Sequence, residues 1–146
     1  MAKERGANAD RLAYESRLYQ EQLRSLVEQA TSLDMMEVEL TSAKVTLQNV
    51  GKGDDSLLVP IGSGIFVKSK REPKEKVLVS IGAGMIVEKE IDGAITLIDE
   101  KIKENHSLKE TVQKNMEAVS KKLESIEGET NRILEEMNKN VRTSQE

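Results

Sequence analysis

The chain has 146 residues, 33% of them charged, and a formal net charge of -4. A mildly acidic balance argues against a binder of the nucleic-acid backbone, which would be clearly basic. The absence of cysteine removes disulfide frameworks and thiolate chemistry from consideration. Aromatic residues are only 2% of the chain, namely Tyr14, Tyr19 and Phe66, and ordinary globular cores lean on aromatics for buried area. Long helices with a narrow apolar seam are therefore expected instead.

The opening "MAKERGANADRLAYESR" has no apolar run of the kind a signal peptide needs. No stretch approaches the roughly 18 apolar residues of a membrane span. A soluble, cytoplasmic protein is expected. From about residue 7 to residue 50, Leu12, Tyr19, Leu26, Leu33, Leu40 and Leu47 recur every seven residues. Leu23, Ala30, Met36 and Ala43 fill the intervening positions less regularly. This pattern predicts a coiled-coil helix. It would be about 65 Å long, too long for a compact bundle of this size. "GKGDDS", residues 51–56, ends it, glycine releasing the chain from the helix.

The middle segment, about 57–88, writes one phrase twice: "VPIGSGIFVK" from Val59 and "VSIGAGMIVE" from Val79. Between the copies, "KSKREPKEK" (68–76) is charged, contains Pro73 and is predicted to be a solvated loop. A second helix is predicted over about 91–141, with cleaner heptads. One set is Ile91, Ile98, Asn105, Val112, Val119, Ile126 and Ile133; the other is Ile95, Ile102, Lys109, Met116, Leu123, Thr130 and Met137. Asn105 and Lys109 are polar breaks in the seam, which lower stability and help to fix register. The expected architecture is one domain, 1–146, mainly α: a long antiparallel coiled-coil hairpin with two β-hairpins inserted between its helices. The insert forms the base, and both chain termini lie at the tip.

A Gly-x-Gly invites a phosphate-cradle reading, but the dinucleotide fingerprint needs a third glycine and a following helix. Gly62-Ser63-Gly64 runs into Ile65-Phe66-Val67, and Gly82-Ala83-Gly84 into Met85-Ile86-Val87, so β-branched residues stand where a helix should open. The phrase is a β-hairpin written twice, with strands 57–61 and 65–67, then 77–81 and 85–87, and glycine supplying the positive φ of a tight connection. Leu57, Val59, Ile61, Ile65 and Val67 share one face, while Leu58 and Phe66 make the other partly apolar. Four short strands also leave open edges. The hairpins are therefore expected to complete a sheet or barrel with other subunits. The residues assigned to that assembly are Val59, Ile61, Ile65, Phe66, Val67, Val77, Val79, Ile81, Ile86 and Val87.

On "LLVPIGSGIFVKS", "KVLVSIGAGMIVEKE" and the following "AITLIDEKI", the chain resembles an α-type prefoldin subunit over nearly its whole length. Two hairpins rather than one mark the α type. Met85-Ile86 departs from the resemblance, which leads one to expect an aromatic residue there. The resemblance implies a hexamer with β-type subunits, hairpins joined into inter-subunit β-barrels, and coiled coils projecting as tentacles. It also implies capture of non-native polypeptides at the tips without ATP, and transfer to a group II chaperonin. Some α-like members form other assemblies, including filaments, so a structural scaffold is the alternative.

No catalytic, cofactor or metal site is read from the sequence. His106 is the only histidine, sits just off the seam, and is expected to be a solvated helix residue without a second ligand for a metal. The carboxylates sit among lysines on helix faces, as solvated charges do. At the chain ends, Tyr14, Leu18 and Leu134 fall outside the heptad sets, beside Ile133, Met137 and Val141. These six are the candidate client-binding residues. The plainer reading is that they close the end of the coil. Methionine, flexible and polarizable, suits varied partners.

Overall fold

A computed structural model describes residues 2–71 and 76–143. In chain order the elements are α1 (Ala2–Asn49), β1 (Ser56–Gly62), β2 (Ile65–Lys70), β3 (Lys76–Gly82), β4 (Met85–Glu90) and α2 (Ile91–Thr143). This is the predicted order, with longer elements. α1 begins before residue 7 and takes Gly6 into the helix. The strands reach into "KSKREPKEK", where a loop was predicted: Lys68, Ser69 and Lys70 pair with Leu58, Leu57 and Ser56. Charged side chains are no obstacle there, because the ladder satisfies the backbone while the side chains stay in water. Residues 72–75, which carry Pro73, lie outside the described residues.

The chain forms two compact units, one from residues 1–34 and 107–146, the other from residues 35–106. In the first, α1 and α2 pack by their heptad positions. Leu26, Val112 and Val119 form the buried cluster, with Tyr19, Leu23, Ala30, Leu33, Met116 and Leu123 packed against it. Leu12 and Ile126 are buried as well. Each such side chain contributes about 1.5–3 kcal/mol on burial. Leu12 shares a groove with Ile126 and Thr130, whereas Asp34 meets Lys109. Partners on α2 thus fall in number as α1 advances, and the pair is antiparallel. Lys109, a polar break in the seam, sends its Nζ to donate to Asp34 Oδ1 at 2.6 Å, so its stem lies along the seam while its charge reaches an acid on α1.

In the second unit the helices are antiparallel again. His106 Nε2 lies 2.9 Å from Glu37 Oε1, and Lys44 Nζ donates to Asp99 Oδ1 at 2.6 Å. Two expectations change here. His106 is exposed as predicted, yet it is tied to α1. Met36 and Ala43 do not fill the seam: Met36 is exposed, and the strict 3-4 spacing runs instead through Leu33, Glu37, Leu40, Lys44 and Leu47, all half-buried. A coiled coil selects by position before polarity. Glu37 and Lys44 meet that demand with their stems in the seam, Glu37 in hydrogen-bond contact with His106 and Lys44 in an ion pair with Asp99. Partly exposed ion pairs of this kind add on the order of 1 kcal/mol or less; their main effect is on register.

Asn105 is the most deeply buried polar residue described, 2% exposed. Replacing it by leucine removes a buried amide from an apolar seam. Asn105→Leu is expected to raise stability to denaturant by about 1–2 kcal/mol while relaxing register specificity. A lower denaturation midpoint would show that Asn105 stabilises the seam outright.

The second unit also carries both β-hairpins, as two separate two-stranded sheets. In each, strands are joined by a two-residue turn, Ser63-Gly64 or Ala83-Gly84, with positive φ at both residues: 49° and 75° in the first, 51° and 74° in the second. Such a turn matches the twist of the strands it joins. Glycine alone does not supply the positive φ, since Ser63 and Ala83 adopt it too. Pro60 pairs with Phe66 but Gly62 with Ile65, and Ser80 pairs with Ile86 but Gly82 with Met85. Ile61 and Ile81 are therefore the extra residues of matching β-bulges.

Candidate assembly and client-binding surfaces

The register sets the faces of the hairpins. Val59 lies opposite Val67, and Leu57 and Ile65 share their face; Pro60 lies opposite Phe66, with Leu58 beside them. Both faces of the first hairpin are open: Leu58, Val59, Ile61, Ile65, Phe66 and Val67 are each exposed. The second hairpin differs. Val77, Val79 and Val87 are half-buried on the face that meets the helices, while Ile81, Met85, Ile86 and Leu78, the last 71% exposed, remain open. A groove of about 760 Å³ separates β3 from the helices, lined by Val38, Leu47, Val77, Val79, Ala94 and Ile98 among others. All ten residues assigned to assembly thus sit on the two hairpins of one unit; seven are exposed and Val77, Val79 and Val87 are half-buried.

An isolated two-stranded hairpin is marginally stable in water. These two combine that weakness with unpaired edges and exposed apolar side chains, the combination that favours pairing with another chain.

Sequence reasoning missed a second apolar feature of this unit. Met35, Val38 and Val45 are exposed on α1, Val38 at the edge of the groove that faces β3 and Val45 seven residues further on. Thr41 and Ser42 lie between Val38 and Val45, and Glu39 is the exposed charge of this stretch. The signal was present as the uncharged run "TSA" and "VTLQNV" around Lys44.

The candidate client-binding residues belong to the other unit. Tyr14 is 64% exposed, and Leu18, one helical turn further on, is exposed on the same side of α1. Leu134 and Met137 are exposed at i, i+3 on α2, while Ile133 is half-buried in the seam. Met137 thus continues the heptad spacing without being covered. The side chain of Val141 lies outside the described residues. A groove in the same unit is lined by Ala9, Leu12, Ala13, Leu123, Ile126 and Thr130, which brings residues 9–20 of α1 next to residues 123–131 of α2.

Among the described residues, no group of three or more His, Asp or Glu side chains is arranged to hold a metal ion. No described helix is long and apolar enough to cross a membrane. The surfaces can offer apolar contact and strand edges.

Comparison with known proteins gives a consistent set of likenesses. Residues 19–139 match the family described as Prefoldin subunit. The chain is 38% identical over 104 residues to Prefoldin subunit alpha of Thermococcus onnurineus, covering 69% of this chain and 71% of that protein. It is 32% identical over 128 residues to Prefoldin subunit alpha of Pyrococcus horikoshii, covering 81% and 86%. Among solved structures it resembles a chain of filamentous PFD from Methanocaldococcus jannaschii, determined by cryo-EM. The TM-score is 0.70 at 27% identity, with 80% of this chain and 98% of that one covered.

Proposed function

This chain belongs to the prefoldin family, and from that membership we propose that it is the α-type subunit of an ATP-independent, cytoplasmic chaperone and forms a single prefoldin domain over 1–146. Its hairpins join those of β-type subunits in an inter-subunit β-barrel. Non-native polypeptides are held by the apolar residues at the chain ends and passed on to a group II chaperonin. The protein is not an enzyme and needs no cofactor. The observation that carries this reading is the first hairpin, which is apolar and open on both faces. One such hairpin has no stable place in water on its own.

Client capture follows from weak contacts made many times. Tyr14, Leu18, Leu134 and Met137 each offer an exposed apolar group. Single contacts of this size are worth about 1 kcal/mol, so affinity arises when several subunits engage one chain together. A denatured client diluted into nucleotide-free buffer should scatter less light in the presence of the assembled protein, and added ATP should leave the traces unchanged. Scattering equal to that in buffer alone would remove the chaperone reading.

A filament-forming scaffold is the second reading, favoured by the likeness to a chain of filamentous PFD. Sedimentation separates the two: a chaperone hexamer gives one discrete mass, and a filament gives a distribution that grows with concentration.

A further inference from the structure

The end of α1 lacks something that its sequence would ordinarily supply. Carbonyls in the last turn of a helix have no partner within the helix, and a cation is favoured beside them. The last turn of α1 contains no basic residue. The cation comes instead from Arg71, just past the end of β2. Its Nη1 donates to the carbonyl of Val50 at 2.8 Å, across 21 positions of sequence. Its Nη2 lies 3.4 Å from Asp55 Oδ1, and its backbone N–H donates to the Asp55 carbonyl at 2.7 Å. The Arg71 side chain is 21% exposed, whereas that of Asp55 is 78% exposed. Gly51 lies alongside, where an added Cβ would stand 3.5 Å from Nη1.

One residue thus closes the helix end, holds the residue before β1 and ties the end of β2 to both. Apart from the half-buried Leu57, the first hairpin is exposed along both strands. We propose that Arg71 is the positioning residue that fixes the first hairpin on the end of α1 and sets the direction in which its apolar faces are offered for assembly. The proposal rests on the reading of the hairpins as the assembly surface. It requires arginine specifically: the planar fork reaches a carbonyl and a carboxylate together, which a lysine ammonium at the same place does not do with fixed geometry.

The test uses Arg71→Gln and Arg71→Lys in the full chain. Hydrogen exchange is followed separately over β1–β2 and β3–β4. With Arg71→Gln, β1–β2 amides should exchange about tenfold faster, the size expected for losing a charge-assisted hydrogen bond, while β3–β4 amides and overall helicity stay as in the parent. Arg71→Lys, which keeps the charge at the helix end, should recover part of the protection. The protein concentration at half-assembly, by sedimentation with a β-type prefoldin subunit, should rise about tenfold for Arg71→Gln. Unchanged exchange in β1–β2, or equal loosening of both hairpins, would overturn the proposal. So would faster exchange in β1–β2 with assembly at the parental concentration. If the parent itself does not assemble through its hairpins, the assembly reading fails, and exchange in β1–β2 still decides whether Arg71 holds the hairpin.

Discussion

Replacing Ile61 and Ile81 together by aspartate should dissociate the assembled protein into smaller species while leaving its helices intact. Both residues are exposed in the isolated chain, 63% and 48%, and each is the extra residue of a bulge. An aspartate there meets water in the monomer, so the fold loses little. In an interface the same change removes the burial of an isoleucine, about 1.5–3 kcal/mol, and places a charge against apolar neighbours. Two such sites per chain should weaken association by at least about a hundredfold. Sedimentation velocity gives the mass and far-ultraviolet circular dichroism the helicity. Retention of the parental mass would show that the β-hairpins are not the interface.

The second large effect is expected at the chain ends. Changing Tyr14, Leu18, Leu134 and Met137 to serine removes four exposed apolar groups without touching the buried cluster of Leu26, Val112 and Val119. The oligomer should keep its mass, because none of the four lies in the hairpin unit. The thermal midpoint should move by only a few degrees, as expected for exposed positions. Protection of a denatured client should fall at least about tenfold, since each subunit loses several contacts of about 1 kcal/mol and the avidity of the assembly magnifies the loss. Undiminished protection would place client binding elsewhere. The open stripe of Met35, Val38 and Val45 would then be the next surface to test.

What could be read from the sequence was whatever repeats. α2 was legible because its apolar residues keep the 3-4 spacing from Ile91 to Ile133, and the hairpins because one phrase occurs twice. The features that were missed depend on partners distant in sequence. Glu37 and Lys44 look like surface residues until His106 and Asp99 stand opposite them on α2. Preferring apolar residues over constant spacing led to Met36 and Ala43; holding the heptad would have led to the charged pair. Lys68 and Lys70 read as loop because charge suggests solvent, yet an exposed strand takes charged side chains freely. Arg71 gave no local signal at all, because its meaning lies in the carbonyl of Val50. For the client surface, falling outside the heptad marks Tyr14, Leu18 and Leu134, but Met137 follows the heptad and is exposed all the same, which spacing alone does not reveal.

The central claim is that an oligomer assembled through β-hairpins holds non-native polypeptide without nucleotide. It is tested most directly by size-exclusion chromatography of the assembled protein mixed with one client, supplied either chemically unfolded or native, in buffer free of ATP. The unfolded client should elute with the oligomer and the native client should elute alone. Equal behaviour of the two forms, whether both bind or neither does, would contradict it and favour the scaffold reading.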